Sequence, residues 1–210
     1  MKYFLSAIFF CLSSLCLCAS ARIDSLFAAM PRTVLPILDN TAKLDLLDLY
    51  NNKMKAVAEN LWGGQTEMVY KNDSHIRLLT SPSGEFEIKR LVAGRDTLAL
   101  CITTVKAQGA SSTLALYAPG WRGVSVQLPQ PDWQDFWKPD STLSSFRLNY
   151  LYAQMSELPC SAQWDDTDDV LRFNLSVEGL PLEDRDEGGR CVRPVWFRWA
   201  DGKFVSLTKK

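Results

Sequence analysis

The sequence contains a single histidine, the side chain best suited to proton transfer near neutral pH. His75 follows Asp73 and Ser74, so an acid and a hydroxyl lie beside it in the chain. A nucleophile–histidine–acid site is defined by geometry across the fold, however, and successive residues of a strand point to opposite faces. We therefore interpret His75 as a polar residue at the edge of a strand and predict no catalytic residue.

The acidic run from Asp165 to Asp169 is the only candidate for a cation site. Calcium prefers several oxygen ligands, but this run lacks the glycine and the distal glutamate of an EF-hand loop. We predict a solvated turn there and no metal site. The chain also lacks G-x-S-x-G, H-E-x-x-H and phosphate-binding glycine motifs, so we predict no cofactor.

Tryptophan is the most unusual component of the composition, with seven residues. Trp133 and Trp137 are four residues apart, so a helical turn would place them on one face. Trp196 alternates with the apolar Val195 and Phe197 and is expected on the exposed face of a strand. Exposed aromatic rings suit sugar rings or protein partners, which makes these three tryptophans our ligand-binding candidates. The alternative is that they fill gaps between helix and sheet.

The first 21 residues have the pattern of a cleavable secretory signal. Lys2 precedes an apolar stretch, and Ala19-Ser20-Ala21 supplies the small residues at the cleavage site. We expect export without a transmembrane segment in the mature chain, and a lipid anchor is less favoured because Cys18 follows the bulky Leu17. The chain has 23 basic and 24 acidic residues, a balance that argues against nucleic acid as a partner.

Three cysteines follow the predicted signal. Cys101 lies in an apolar run and is interpreted as a buried residue, and no C-x-x-C spacing occurs. Cys160 and Cys191 flank polar loops and could form a disulfide in an oxidising compartment. That bond would close a loop of about 31 residues and stabilise the fold by roughly 3–4 kcal/mol. The sequence leaves open whether they pair.

The N-terminal part of the mature chain is predicted to be helical. Apolar spacing indicates a helix over Ile23–Met30 and a longer one from about Thr41 to Leu61, capped by Asp39 or Asn40. Its apolar stripe recurs at steps of three and four, and Trp62-Gly63-Gly64 is expected to end it.

The apolar period then changes to two, with turns too short for crossover helices, which predicts an antiparallel meander. The expected strands of this first region are 67–71, 75–80, 85–92, 97–105, 113–118 and 124–128. A short helix over 133–138 opens a second β region, with strands over 146–154, 170–177, 192–200 and 204–207, and a mobile loop over 183–189. Asp201-Gly202 predicts a tight hairpin.

Together these elements predict an α+β fold in which N-terminal helices pack on an antiparallel β-meander sheet. We divide the chain into a signal over 1–21, helices plus a first meander over 22–130, and a short helix plus a second meander over 131–210, forming one compact unit. Whether the two regions are helix-plus-meander repeats is left open.

Three segments resemble a family of exported Bacteroidales proteins known as domain of unknown function 3256. They are Asp24-Ser-Leu-Phe-Ala-Ala-Met-Pro31, Leu44-Asp-Leu-Leu-Asp-Leu-Tyr-Asn-Asn-Lys-Met-Lys-Ala56 and Gly63-Gly-Gln-Thr-Glu-Met68, and the resemblance is clearest over 24–92. It implies the periplasm or cell surface of a Gram-negative bacterium and gives no catalytic residues. Our hypothesis is a non-catalytic protein that binds an envelope protein or glycan. The alternatives are a carbohydrate-binding module and a secreted hydrolase.

Overall fold

The computed structural model describes residues 22–207, so the predicted signal lies outside the described residues. The first sheet is antiparallel and its strand order follows the chain, which makes it a meander of β1 (Val57–Glu59), β2 (Gln65–Lys71), β3 (His75–Ser81), β4 (Gly84–Ala93), β5 (Asp96–Lys106), β6 (Ala110–Ala118) and β7 (Arg122–Gly123). The second sheet has the order β11-β10-β9-β8, formed by β8 (Cys160–Asp165), β9 (Val170–Leu175), β10 (Val195–Ala200) and β11 (Lys203–Ser206). The α-helices are α1 (Ile23–Ala28), α2 (Asn40–Asn51), α3 (Trp133–Phe136), α4 (Ser145–Met155) and α5 (Arg185–Arg190).

The first sheet is buried on both faces because its central strands alternate between two apolar cores. On β4, Phe86 and Ile88 pack with residues of α1 and α2, whereas Leu91 has the opposite parity and packs against the second sheet. The second core also receives Phe136 and Leu151 from α3 and α4. Burial of each such side chain stabilises the fold by roughly 1.5–3 kcal/mol. The predicted α+β fold, with N-terminal helices on an antiparallel meander, is confirmed.

The two N-terminal helices are joined by a buried lysine. Asp39 caps α2 by accepting the backbone N–H of Ala42 at 2.8 Å, as the sequence predicts. One turn later, the Lys43 ammonium donates to the carbonyl oxygens of Ala28, at 3.2 Å, and Met30. Burial lowers the pKa of Lys43. These contacts satisfy carbonyl groups at and just beyond the C-terminal end of α1 and hold α2 against it.

Helix α2 ends well before the predicted Leu61. The Asn52 amide donates to the Asp48 carbonyl at 2.9 Å, and Lys53 adopts a left-handed φ of 58°. The residues beyond form β1, which pairs with β2. The extension was wrong because main-chain pairing at the sheet edge replaces the helix there, which leaves Met54 and Leu61 exposed. Trp62-Gly63-Gly64 accordingly turns between two strands.

Three further predictions, one at the end of the first region and two in the second, were also wrong. The segment predicted as a strand over 146–154 is α4, since Ser144 caps it and Leu148, Leu151 and Met155 face the second core at helical spacing. Residues 124–128 form no strand, and the loop predicted over 183–189 contains most of α5. The Asp201-Gly202 hairpin has positive φ at both residues, as predicted. The boundary near residue 130 and a relation between the two regions stay predictions.

Candidate functional site

Four ionisable side chains meet between the two sheets and are named here the clamp: His75 of β3, Glu87 and Lys89 of β4, and Asp166 of the β8–β9 turn. His75 Nδ1 lies 2.7 Å from Asp166 Oδ2, and its Nε2 lies 3.1 Å from Glu87 Oε2. The Lys89 ammonium donates to Asp166 Oδ1 at 3.1 Å. The side chains of His75 and Glu87 are each only 2% exposed.

Strand pairing explains how these residues come together. His75 pairs directly with Lys89 across β3 and β4, and Glu87 lies two residues from Lys89 on the same face. The second sheet supplies Asp166 together with the backbone N–H of Trp164, which donates to Glu87 Oε2 at 3.0 Å. The clamp therefore connects the first sheet to the second by charged hydrogen bonds.

At Asp166, the combined effect of its ion pairs on the carboxyl pKa is larger than the effect of burial. Burial by itself would raise the pKa of this carboxyl, but the hydrogen bonds and charges of His75 and Lys89 leave the pKa below its usual value. Lys89 also lies 3.1 Å from Asp169 and 4.8 Å from the Trp164 ring centroid. Buried charges are tolerated when they are paired in this way, and a buried charge that loses its partner is strongly destabilising.

The clamp geometry favours a structural role over general-base chemistry. Both ring nitrogens of His75 face carboxylates, so neither is available to activate a nucleophile. The nearby Ser74 hydroxyl accepts a hydrogen bond from Lys89 at 3.1 Å, and Lys89 is itself held by two carboxylates. Within residues 22–207, no group of three histidine, cysteine or acidic residues is arranged to hold a metal ion.

The sequence interpretation was wrong about His75, which is buried rather than a polar residue at the edge of a strand. The acidic run does form a turn with exposed residues at 167–169, as predicted, but the sequence did not show that Asp166 reaches into the clamp. The sequence did contain one signal, the alternation of residues along β3. Ile76 and Leu78 face α1 and α2, so His75 and Arg77, which alternate with them, must point to the opposite face of the sheet. The partner on that face could not be identified without the tertiary structure.

A cavity of about 330 Å³ adjoins the clamp. Tyr70 and Arg77 of the first sheet line it together with Gln163 and Arg172 of the second. The Tyr70 ring packs on His75, with 5.4 Å between centroids. This cavity therefore lies at the β8 edge, where residues of both sheets meet.

The predicted tryptophan candidates fall in two places. Trp133 and Trp137 are half-buried and both contact the Tyr152 ring, with centroids at 4.5 and 5.2 Å. Trp196 lies on the face of β10 opposite Val195, where its ring is 5.6 Å from the Arg172 guanidinium. The structure thus brings Trp133 and Trp137 together and places Trp196 apart from them. Ligand binding by these rings stays a prediction.

A larger groove of about 980 Å³ lies between the irregular segment 126–131 and strands β10 and β11, and is named here the edge groove. Its apolar lining includes Leu128, Phe197 and Phe204, and its charged lining consists of Asp135, Arg193 and Lys203. The sequence did not predict this groove because residues 124–128 were assigned to a strand.

Cys101, Cys160 and Cys191 are free thiols in the structure. Pairing of Cys160 with Cys191 under oxidising conditions stays a prediction. Burial raises the pKa of Cys160 to about 11 and that of Cys101 to about 12, so both thiols are protonated at neutral pH.

The family model described as "Protein of unknown function (DUF3256)" matches residues 16–204. The chain belongs to this family. It is similar to the structure of a domain of an uncharacterized protein from Porphyromonas gingivalis W83, with a TM-score of 0.73 and 24% identity. That similarity covers 89% of this chain and 98% of the other, and shows a shared fold. No curated protein matches the chain. Within residues 22–207, no helix is both long and apolar enough to cross a membrane.

Proposed function

We propose that this protein is an exported, non-catalytic binding protein whose edge groove accepts an extended segment of a partner polypeptide. The observation that supports this best is the groove itself, an open cleft of about 980 Å³ beside the last strand of a sheet. Its volume is at the upper end of the range typical of ligand sites.

The position of β11 favours an extended polypeptide as the occupant. Among the described residues, β11 pairs only with β10, so its other edge presents main-chain N–H and C=O groups. An added strand could pair with this edge and place alternate side chains in the apolar part of the groove, near Phe197 and Phe204.

The charged lining of the groove favours a partner segment with acidic residues. Arg193 and Lys203 outnumber Asp135, and none of the three forms a salt bridge within residues 22–207. Opposite charges on the partner would add to the apolar contacts and would increase the rate of association.

The test uses peptides selected from a displayed random library on the mature protein. We expect alternating apolar and acidic sequences whose affinity falls at least tenfold in Phe204→Ala and is unchanged in Val205→Ala. The second substitution is the matched control, because Val205 neighbours Phe204 on the same strand but does not line the groove. Failure to select peptides, or equal binding by both variants, would refute the peptide site.

Export is tested separately by expressing the full chain and sequencing the N-terminus of the protein recovered outside the cytoplasm. We expect the mature chain to begin at Arg22, as the Ala19-Ser20-Ala21 pattern predicts. Recovery of the intact chain in the cytoplasm would contradict this part of the proposal.

A carbohydrate-binding function is the second candidate, supported by the half-buried Trp133 and Trp137 rings and the 38% exposed Tyr152 between them. Together these rings form an aromatic surface of the kind that stacks on sugars. Saturable quenching of tryptophan fluorescence by soluble glycans, lost in Trp133→Ala/Trp137→Ala, would favour this candidate over the peptide site.

A further inference from the structure

We infer that the cavity beside the clamp binds an oxyanion group, such as a carboxylate, phosphate or sulfate, between Arg77 and Arg172. This site is separate from the edge groove and does not depend on the function proposed for it. Both guanidinium groups line the same cavity of about 330 Å³. Neither forms a salt bridge within residues 22–207, in contrast to the fully paired lysine of the neighbouring clamp.

The arginines approach the cavity from different sheets. Arg77 is two residues from His75 on β3 and contacts the Tyr70 ring, with its guanidinium carbon 5.9 Å from the ring centroid. Arg172 lies on β9, paired with Gln163 of the edge strand β8. A group bound between the arginines would therefore be held from both sides of the β8 edge.

The Arg172 guanidinium group is held in place, but not all of its hydrogen-bond donors have an acceptor. Its guanidinium lies 5.6 Å from the Trp196 ring centroid and makes one long hydrogen bond, 3.5 Å, from Nη2 to Gln163 Oε1. Its Nε is buried and has no hydrogen-bond partner in the structure. Buried donors of this kind are normally paired, so an unpaired one indicates the place of an acceptor. An oxyanion would supply acceptor oxygens in the planar geometry that a guanidinium prefers.

The acidic residues around the cavity do not cancel the two arginines. Asp166 is held by hydrogen bonds with His75 and Lys89, and Asp165 accepts the backbone N–H of Thr167 at 3.0 Å. Glu87 is the cross-strand partner of Arg77, but its Oε2 is held by His75 and by the backbone N–H of Trp164. Of these three carboxylates, only Asp165 has neither the histidine nor a lysine beside it, and it faces two guanidinium groups that form no salt bridge among the described residues. The volume is near the lower limit for small-molecule sites, which suits a small acid or the acidic end of a larger ligand.

The test is calorimetric titration of the mature protein with inorganic phosphate, inorganic sulfate and citrate at constant ionic strength set with sodium chloride. We expect saturable binding of at least one of these anions, weakened at least tenfold in both Arg77→Gln and Arg172→Gln. Arg198→Gln is the matched control, since Arg198 is an exposed arginine of the same sheet that does not line the cavity. Arg172→Lys keeps the charge but loses the planar donors, and intermediate affinity is expected.

Circular dichroism and thermal unfolding establish that each variant is folded before its affinity is compared. Binding only of citrate would indicate a small carboxylic acid as the ligand, whereas binding of phosphate or sulfate would indicate the corresponding esters. Absence of saturation with all three anions would overturn the inference. So would unchanged affinity in either glutamine variant, because the site requires both arginines.

Discussion

Replacing His75 with alanine tests whether the clamp holds the two sheets together. The substitution removes the imidazole between Glu87 and Asp166 and leaves Glu87, whose side chain is 2% exposed, with only the backbone N–H of Trp164. Breaking a buried charged pair by removing one partner costs about 3–5 kcal/mol. For a chain of this size that loss corresponds to a decrease of roughly 6–20 °C in Tm.

The measurement is urea unfolding at pH 7, followed by tryptophan fluorescence, with thermal unfolding as a second probe. The control is Lys55→Ala, which removes the exposed Lys55–Glu67 pair, 3.7 Å apart, and should change the free energy of unfolding by less than about 1 kcal/mol. If His75→Ala were no more destabilising than this control, the buried hydrogen bonds would contribute little and the clamp would not be a stabilising connection.

Three further predictions concern acid stability, helix packing and the aromatic surface. The pKa of Asp166 is lower in the folded state, so its stabilisation is present above its unfolded pKa of about 3.9 and is lost as pH falls below that value. The stability difference between wild type and Asp166→Asn, measured by urea unfolding from pH 7 to pH 2, should therefore shrink in acid. A constant difference would contradict the pairing. In α5, Gly188→Ala should destabilise the fold by about 1–3 kcal/mol because its Cβ would overlap a methyl group of the buried Leu180. Gly189→Ala has open space around its Cβ and should stabilise the fold by about 0.5–1 kcal/mol. Equal Tm values for the two variants would exclude the close contact. Trp133→Ala/Trp137→Ala should lower the free energy of unfolding by at least about 3 kcal/mol if the rings are mainly packing residues, and a fully stable double variant would favour their role as a binding surface.

Local signals predicted the elements that depend on local physics. Asp39 was recognised as a cap because a side-chain acceptor before an apolar helical stripe satisfies the first free N–H groups. Asp201-Gly202 was recognised as a hairpin because both residues tolerate positive φ. In each case, the interaction is formed by residues a few positions apart, so the sequence contains nearly all of the relevant information.

Elements whose conformation depends on distant partners were predicted less well. Val57–Glu59 continues the helical apolar pattern of α2, but pairing with β2 provides a competing set of main-chain hydrogen bonds. Helix α4 shows the opposite change, from a predicted strand to a helix. Its aromatic residues favour a strand by propensity, but Leu148, Leu151 and Met155 can all face the second core only at helical spacing. Tertiary packing decided both segments.

The clamp was beyond prediction for the same reason. Strand parity places His75, Glu87 and Lys89 on one face, but Asp166 is 91 residues from His75 in the chain, and only the packing of the second sheet brings them together. The acidic run around Asp166 resembles any solvated turn in sequence. Asp166 is distinguished only by the location of the turn, which depends on the topology of both sheets.

The paired and unpaired cations near the β8 edge have different roles, one in stability and the other in binding. Lys89 has carboxylate partners and contributes to the clamp, whereas Arg77 and Arg172 have none and flank an open cavity. Because the two arginines belong to different sheets, their separation depends on the contacts that hold the sheets together. The clamp is the nearest of these contacts to the cavity, since His75 and Asp166 line it as well. A change that weakens the clamp without unfolding the protein should therefore also weaken oxyanion binding. His75 would then affect binding through the separation of the two arginines, without touching the ligand itself.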